Sequence, residues 1–187
     1  CIRDRGRFAA RKSRQGNGCM EGQTGQLFYL AVALPFVAAI LAPSVHKLLG
    51  RFSAYALALF PAVAFALIFA VSEQIQGREI FLFGFDWVPT FDVRFSFRLD
   101  GLSYAFALLI LGIGALVVLY SGGYLSKSDK LGRFYSYIFL FMGAMLGLVL
   151  ADDLMTLFIF WELTSITSFL LIGCLLYTSP SPRDRQK

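Results

Sequence analysis

The chain has 187 residues, of which 57% are hydrophobic and 16% aromatic, and its formal net charge at pH 7 is +5. This composition excludes an ordinary soluble domain and predicts an integral membrane protein. The excess positive charge lies in residues 1–19 and 177–187, so the remaining body has no basic surface that could bind a nucleic acid.

Five apolar runs are long enough to cross a membrane as α-helices. A hydrocarbon core of about 30 Å needs roughly 20 helical residues, and backbone polar groups in lipid must bond within the chain, which favours helices. The runs cover residues 27–45, 52–72, 101–125, 134–151 and 154–176. The sequence therefore predicts an all-α integral membrane fold with about five transmembrane helices.

The connection between the second and third spans has a different pattern. Apolar and polar residues alternate from Phe81 to Trp87 and again from Phe91 to Leu99, and a period of two is typical of β-strands. We therefore expect a β-hairpin at about residues 79–99. Its aromatic face should lie against the helices or at the level of the lipid headgroups.

Basic residues in the short loops predict which side of the membrane each loop faces, because Lys and Arg resist translocation. Lys47 and Arg51 lie between the first and second spans, and Lys127, Lys130 and Arg133 lie between the third and fourth. These two loops should be cytoplasmic. The hairpin, and the turn between the fourth and fifth spans, should then be extracytoplasmic.

The two ends of the chain do not match the membrane body between them. Residues 1–19 carry six basic side chains, although the topology places the N-terminal side of the first span outside the cell. The other end of the chain is a hydrophilic Ser-Pro run. We expect residues 1–19 and 174–187 to be non-native tails. Residues 20–173 would then be the N-terminal transmembrane part of a longer protein.

One acidic residue, Glu162, lies inside the fifth span. An ionised carboxylate costs several kcal/mol in the membrane, so such residues mark functional sites by default. Burial raises a carboxyl pKa and a nearby cation lowers it, so a Glu balanced between the two can take up and release a proton. Glu162 is therefore predicted to be a proton relay. The alternative is a protonated Glu that only holds helices together by hydrogen bonding.

Five further residues are weaker candidates. Thr164 and Ser165 could support hydration of, or hydrogen bonding to, the carboxylate, or their hydroxyls could bond back to their own helix backbone. Asp100, Asp152 and Asp153 precede the third and fifth spans, where capping of a helix N-terminus is the first interpretation and ion entry the second.

The sequence predicts neither a metal site nor a cofactor. Cys1, Cys19 and Cys174 have no CxxC spacing, and His46 is the single histidine, so no ligand set is apparent. The glycine-rich stretches lack the strand-turn-helix context of a phosphate-binding loop.

Three stretches carry a resemblance to a known family: the Arg98–Ser103 run RLDGLS, the Gly143–Gly147 run GAMLG and the Phe160–Ser165 run FWELTS. They resemble the opening part of the Mrp-type sodium/proton antiporter A subunit. That subunit is similar in turn to the large antiporter-like membrane subunit of NADH:quinone oxidoreductase, also called complex I.

The resemblance implies a function and a setting. Glu162 matches the family glutamate that pairs with a lysine on a later helix, which would lie beyond this chain. The protein would be a transporter subunit rather than an enzyme, working with other subunits of a hetero-oligomeric complex in a prokaryotic cell membrane. The complex would exchange external H+ for internal Na+ across the lipid bilayer.

Two alternatives stay open. The chain could come from the proton-pumping membrane subunit of NADH:quinone oxidoreductase, or of a related membrane hydrogenase. It could also be a structural membrane anchor that conducts nothing.

Overall fold

In a computed structural model of the protein, the described residues are 21–75, 81–88, 93–124 and 131–176. The predicted tail 1–19 lies outside these ranges, as do residues 177–187 of the second predicted tail. Residues 79–80 and 89–92 of the predicted hairpin also lie outside them.

The described part of the chain contains five long helices. They are α1 (Glu21–Leu49), α2 (Ser53–Ile75), α3 (Gly101–Tyr124), α4 (Leu131–Leu150) and α5 (Leu154–Leu176). Each contains an apolar stretch of 18 to 23 residues that is long enough to cross a membrane. The five predicted spans therefore correspond to five helices.

The helix ends differ from the predicted spans by three residues or more in three of the helices. Helix α1 starts six residues before the predicted span and ends four residues after it, α2 ends at Ile75 rather than at residue 72, and α4 begins at Leu131 rather than at residue 134. Hydropathy marks the stretch that can lie in lipid, whereas a helix can continue into polar surroundings, where its charged side chains stay hydrated.

Two strands lie between α2 and α3. Strand β1 (Phe81–Val88) pairs antiparallel with β2 (Val93–Leu99), so that Phe83 lies opposite Phe97 and Gly84 opposite Ser96. The alternating pattern of the sequence accounts for the pairing, because every second residue of β2 can face the helices. Phe97 and Leu99 are buried, whereas Arg98 between them is exposed. The side of the membrane on which the strands lie stays a prediction.

Helix α4 lies at the centre of the bundle and packs against α1, α3 and α5. Glycines one turn apart let two aromatic rings approach this helix: Gly143 faces the ring of Phe36 on α1, and Gly147 faces the ring of Phe160 on α5. A Cβ at Gly147 would overlap the Phe160 ring. Small residues at such positions allow close packing of helices, so these two glycines bring α1 and α5 close to α4.

A short 3₁₀ turn, Gly50–Phe52, joins α1 to α2. Gly50 has a φ of +50°, in the left-handed region that favours glycine. The Ser53 hydroxyl donates to the Gly50 carbonyl at 2.8 Å, and its oxygen lies 2.9 Å from His46 Nδ1. These contacts hold the end of α1 against the start of α2.

Candidate functional site

Helix α5 packs against its neighbours through one stripe of residues. Thr156, Phe160, Leu163 and Thr167 follow one another at intervals of four, three and four, which places them on one helix face. Thr156 and Thr167 are fully buried, and the Phe160 ring lies 6.0 Å from the ring of Phe97 on β2. This stripe sets the direction in which every other residue of α5 points.

Glu162 lies on the opposite face of α5, two residues and therefore about 200° round the helix from Phe160. It is exposed, like its neighbour Trp161, whose side chain is 57% exposed. No Lys or Arg of the described ranges forms an ion pair with it. The predicted relay carboxylate is thus directed away from the five-helix packing and is accessible to groups outside it.

The hydroxyl groups around Glu162 bond to their own helix. Thr164 Oγ1 donates to the Trp161 carbonyl at 2.7 Å, and Ser165 Oγ donates to the same carbonyl at 3.3 Å. This is the backbone-bonding alternative expected of Ser and Thr in such helices. Each oxygen keeps lone pairs that can still accept a hydrogen bond, and a role in hydrating Glu162 stays a prediction.

Asp100 caps the N-terminus of α3. Its Oδ1 accepts hydrogen bonds from the backbone N–H groups of Leu102 at 3.1 Å and Ser103 at 2.8 Å. In return the Asp100 N–H donates to Ser103 Oγ at 2.8 Å, which is the reciprocal arrangement of a capping box. The Ser103 N–H bond is the main cause that lowers the pKa of Asp100, and Arg98 acts in the same direction.

Asp153 has the same role at the start of α5, because its Oδ1 accepts the Thr156 N–H at 3.0 Å. Asp152 is held differently: its backbone N–H donates to the Ser96 carbonyl on β2 at 3.0 Å. The capping interpretation therefore accounts for the contacts of Asp100 and Asp153, and ion entry at the three aspartates stays a prediction.

Sequence reasoning missed Arg98 as a member of this group. Its Nε lies 3.5 Å from Asp100 Oδ2 and its Nη1 lies 4.0 Å from Asp152 Oδ1. Arg98 thus brings together two of the three predicted aspartates, which are separated by 52 positions in the sequence. The alternation along β2 could have placed Arg98 on the exposed face beside the start of α3, but not beside Asp152.

The structure does not bring Glu162 together with the aspartates. Asp153 precedes Glu162 by nine residues, which corresponds to about 13 Å along the axis of α5. The candidate residues therefore form two groups: a carboxylate part-way along α5, and a cluster of Arg98, Asp100 and Asp152 where the strands meet the helix starts.

Metal binding has no visible support in either group. Among the residues that the structure describes, no three His, Cys, Asp or Glu side chains lie close enough together to hold a metal ion.

Comparison with known proteins shows that the chain is similar to antiporter subunits. The chain is 46% identical over 148 residues to "Na(+)/H(+) antiporter subunit A1" of Staphylococcus haemolyticus (strain JCSC1435), and 45% identical over the same length to the protein of that name in Staphylococcus aureus. These alignments cover 79% of this chain, whereas the chain spans 18% of the length of the relatives. Residues 86–135 match the family described as "NADH-Ubiquinone oxidoreductase (complex I), chain 5 N-terminus".

Two solved structures share the fold. The "Structure of Mrp complex from Dietzia sp. DQ12-45-1b" contains a chain that is 34% identical, with a TM-score of 0.69 over 83% of this chain and 16% of that one. The "membrane-bound sulfane sulfur reductase (MBS), an archaeal respiratory membrane complex" contains a chain that is 18% identical, with a TM-score of 0.64 over 79% of this chain and 24% of that one. At this identity the second match shows the fold alone. The resemblance to the Mrp antiporter A subunit that the sequence motifs indicate is confirmed.

Proposed function

Because the chain resembles the N-terminal part of Na+/H+ antiporter A subunits, we propose that it is part of a subunit of a multi-subunit cation/proton antiporter. The observation that carries this proposal is the 46% identity over 148 residues to the staphylococcal subunit A1. The complex would lie in the plasma membrane of a prokaryote and use the proton gradient to expel Na+. The other subunits of that complex would be the partners of this chain.

Glu162 would act as the proton relay of this subunit. It is the eighth residue after Leu154 at the start of α5, about 12 Å along the helix, and the candidate span of α5 is 21 residues long. The carboxylate therefore lies near the middle of the span, where an ionised form is costly unless a cation compensates. A cation that approaches and withdraws would make Glu162 release and then take up a proton.

The exposed position of Glu162 supports this role. A helix that contributes the cation needs access to the carboxylate, and the packed stripe of α5 directs Glu162 away from α4 and β2. By resemblance, the cation would be a lysine on a later helix. Such a helix could pack against the face of α5 that carries Trp161 and Glu162.

The distribution of basic and acidic residues supports one orientation of the subunit. Lys47 in the last turn of α1 and Arg133 in the first turn of α4 lie near one end of the bundle, whereas Asp100, Asp152 and the strands lie at the other. With the positive residues inside, the strands and the aspartate cluster would be extracytoplasmic. Protons would then enter from the side of the strands.

A second candidate function is the proton-pumping membrane subunit of a redox complex. The match of residues 86–135 to the complex I chain 5 family favours it. The two candidates differ in an assay of the purified complex, because a redox pump requires electron transfer to move protons and an antiporter requires only the ion gradients.

The relay role is tested by replacing Glu162 in the complete complex that contains this chain. Glu162→Gln keeps the size of the side chain and removes the ionisable carboxyl group, and Glu162→Asp keeps the acid as a control. Na+-dependent dissipation of a proton gradient in inverted membrane vesicles should be lost in Glu162→Gln and partly kept in Glu162→Asp. Full activity of Glu162→Gln would contradict the relay role. Glu162 and the chain that carries it would then be better described as a structural membrane anchor.

A further inference from the structure

The start of α5 is attached to strand β2 through the backbone of one residue, Ser96. The Ser96 N–H donates to Thr156 Oγ1 at 3.3 Å, and the Ser96 carbonyl accepts the Asp152 N–H at 3.0 Å. Phe97, the next residue of β2, forms a bridge with Ala151. The turn between α4 and α5 therefore pairs briefly with β2, on the edge of the sheet that β1 does not occupy.

Thr156 differs from the other hydroxyl residues of α5 whose hydrogen bonds are described. The hydroxyls of Thr164, Ser165, Thr167 and Ser168 donate to carbonyls of α5 itself. The Thr156 oxygen instead accepts from another element, and the side chain is fully buried. Asp153 already accepts the Thr156 N–H, so capping of the helix does not require the hydroxyl.

A second contact lies one turn further along the same face. The Phe160 ring packs on the Phe97 ring at 6.0 Å and on Gly147 of α4. Thr156 and Phe160 are four residues apart and thus lie one above the other on the helix surface. Because these two contacts to β2 lie at different positions along α5, they fix both how far α5 is displaced along its axis and how it is rotated about that axis.

On the basis of the proposed function, we propose that Thr156 is a positioning residue for Glu162. Glu162 follows Thr156 by six residues, which places it about 9 Å further along α5 and about 240° round the axis. Because the helix is stiff over this distance, its depth and rotation at Thr156 determine where the carboxylate meets its partner. Strand β2 therefore sets the geometry of the relay through the hydroxyl of Thr156.

Loss of the hydroxyl would have a specific effect. Thr156→Val keeps the shape of the side chain but leaves the partly buried Ser96 N–H without its acceptor, which costs free energy. A small shift of α5 that lets this N–H find another partner would move Glu162 as well. Thr156→Ser keeps the hydroxyl oxygen that accepts the Ser96 N–H and should keep α5 in its place.

The test uses the complete complex and the rate at which a hydrophobic carbodiimide labels Glu162, followed by mass spectrometry of the labelled peptide. This rate depends on the protonation and accessibility of the carboxyl group. In Thr156→Val we expect it to change by about threefold or more, the scale of one lost hydrogen bond, together with a lower Na+/H+ exchange rate per assembled complex. Thr156→Ser should restore both values.

Two variants serve as matched controls. Thr167→Val removes a buried hydroxyl of α5 that bonds only within its helix, and Ser96→Ala keeps the backbone donor on β2. In both variants the carbodiimide should label Glu162 at the wild-type rate. If Thr156→Val does not assemble, Phe160→Leu replaces it, since loss of the ring contact with Phe97 should change the labelling rate in the same way.

Each of the following results would overturn the inference: wild-type labelling in Thr156→Val, equal changes in Thr156→Val and Thr167→Val, or failure of Thr156→Ser to restore the rate. A reduced amount of complex with unchanged labelling would also overturn it, because Thr156 would then only stabilise the fold. The proposed function fails separately, when Glu162→Gln keeps full transport. If Glu162→Gln abolishes transport and Thr156→Val labels normally, only the inference fails.

Discussion

Arg98 on strand β2 places its Nη1 atom 4.0 Å from Oδ1 of Asp152 in the turn between α4 and α5. The guanidinium also reaches Asp100 at the start of α3, so one side chain links three elements at one end of the bundle. Strand β2 is also joined to the turn before α5 by a backbone hydrogen bond, and to α5 by the buried ring of Phe97. The energetic contribution of the ion pairs can therefore be separated from that of the remaining contacts.

Replacement of Arg98 by Gln should have a small effect that depends on salt. The Arg98 side chain is 44% exposed, and exposed ion pairs contribute about 0–1 kcal/mol because water and ions screen them. We expect a slightly lower melting temperature of the detergent-solubilised complex at low salt and no difference at about 1 M salt. A large loss of stability that persists at high salt would contradict this assignment.

Replacement of Asp100 by Ala should destabilise the start of α3 by about 1 kcal/mol, the usual contribution of an N-cap side chain. Asp100→Asn keeps an acceptor for the Leu102 and Ser103 N–H groups and should cost less. Thermal unfolding of the purified complex measures both. Equal losses in the two variants would show that the charge, rather than the cap, is important.

The stability that the Asp100 cap contributes should also depend on pH. The pKa of Asp100 is lowered in the folded protein, chiefly by the Ser103 N–H, so its stabilising effect is present above the ordinary Asp pKa of about 3.9 and is lost as the pH falls through the lower folded value. The stability difference between the wild type and Asp100→Asn should therefore be constant near neutral pH and shrink only in acid. A difference that already shrinks between pH 6 and pH 5 would contradict the lowered pKa.

Replacement of Gly147 by Ala should separate α5 from α4. The new Cβ would overlap the Phe160 ring, and overpacking of this kind costs about 1–3 kcal/mol. The matched control is Gly123→Ala in the last turn of α3, where a Cβ meets nothing within 4 Å. Only Gly147→Ala should lower the melting temperature, and Phe160→Leu in the same chain should restore part of the loss. Because Ala favours a helix more than Gly does, equal losses at both glycines would show that overlap with the Phe160 ring is not the cause.

Replacement of Tyr135 by Phe should leave stability unchanged or raise it by about 1 kcal/mol. Tyr135 on α4 is fully buried, and its hydroxyl, which lies near the Ser121 side chain of α3, forms no hydrogen bond of good geometry among the described residues. Removing an unsatisfied polar group also removes the cost of its desolvation. Ser53→Ala serves as the contrast, since it removes the bonds to Gly50 and His46 and should destabilise. A clear loss of stability in Tyr135→Phe would reveal a hydrogen-bond partner of the Tyr135 hydroxyl, such as a buried water molecule.

Much of the helical architecture could be predicted, because the relevant signals are local. Twenty uncharged residues suffice to recognise α2 or α3, and a carboxylate in an apolar run identifies Glu162 without any knowledge of its neighbours. The alternation from Phe91 to Leu99 likewise predicts the strand that became β2. Even the role of Asp153 as a cap follows from its place before α5.

The contacts between distant segments could not be predicted in this way. Ser96 and Thr156 are 60 residues apart, and neither has a sequence signature for the hydrogen bond between them. Arg98 appears in the sequence only as one charge on a strand, and its two aspartate partners depend on how the strand meets two helix starts. The face of α5 that carries Glu162 is likewise fixed by Phe160 meeting Phe97 and Gly147, which is a matter of tertiary packing.

The connection between α4 and α5 contains only residues 151–153, and all three are engaged: Ala151 and Asp152 with β2, and Asp153 with the α5 backbone. Surface loops usually tolerate changes of length, but one extra residue here would detach either the strand or the helix cap. Among related proteins, therefore, this connection should keep a constant number of residues even where its amino acids differ. Position 156 should keep a hydroxyl residue among those proteins, because its partner is the Ser96 backbone N–H, which side-chain substitutions in β2 do not remove.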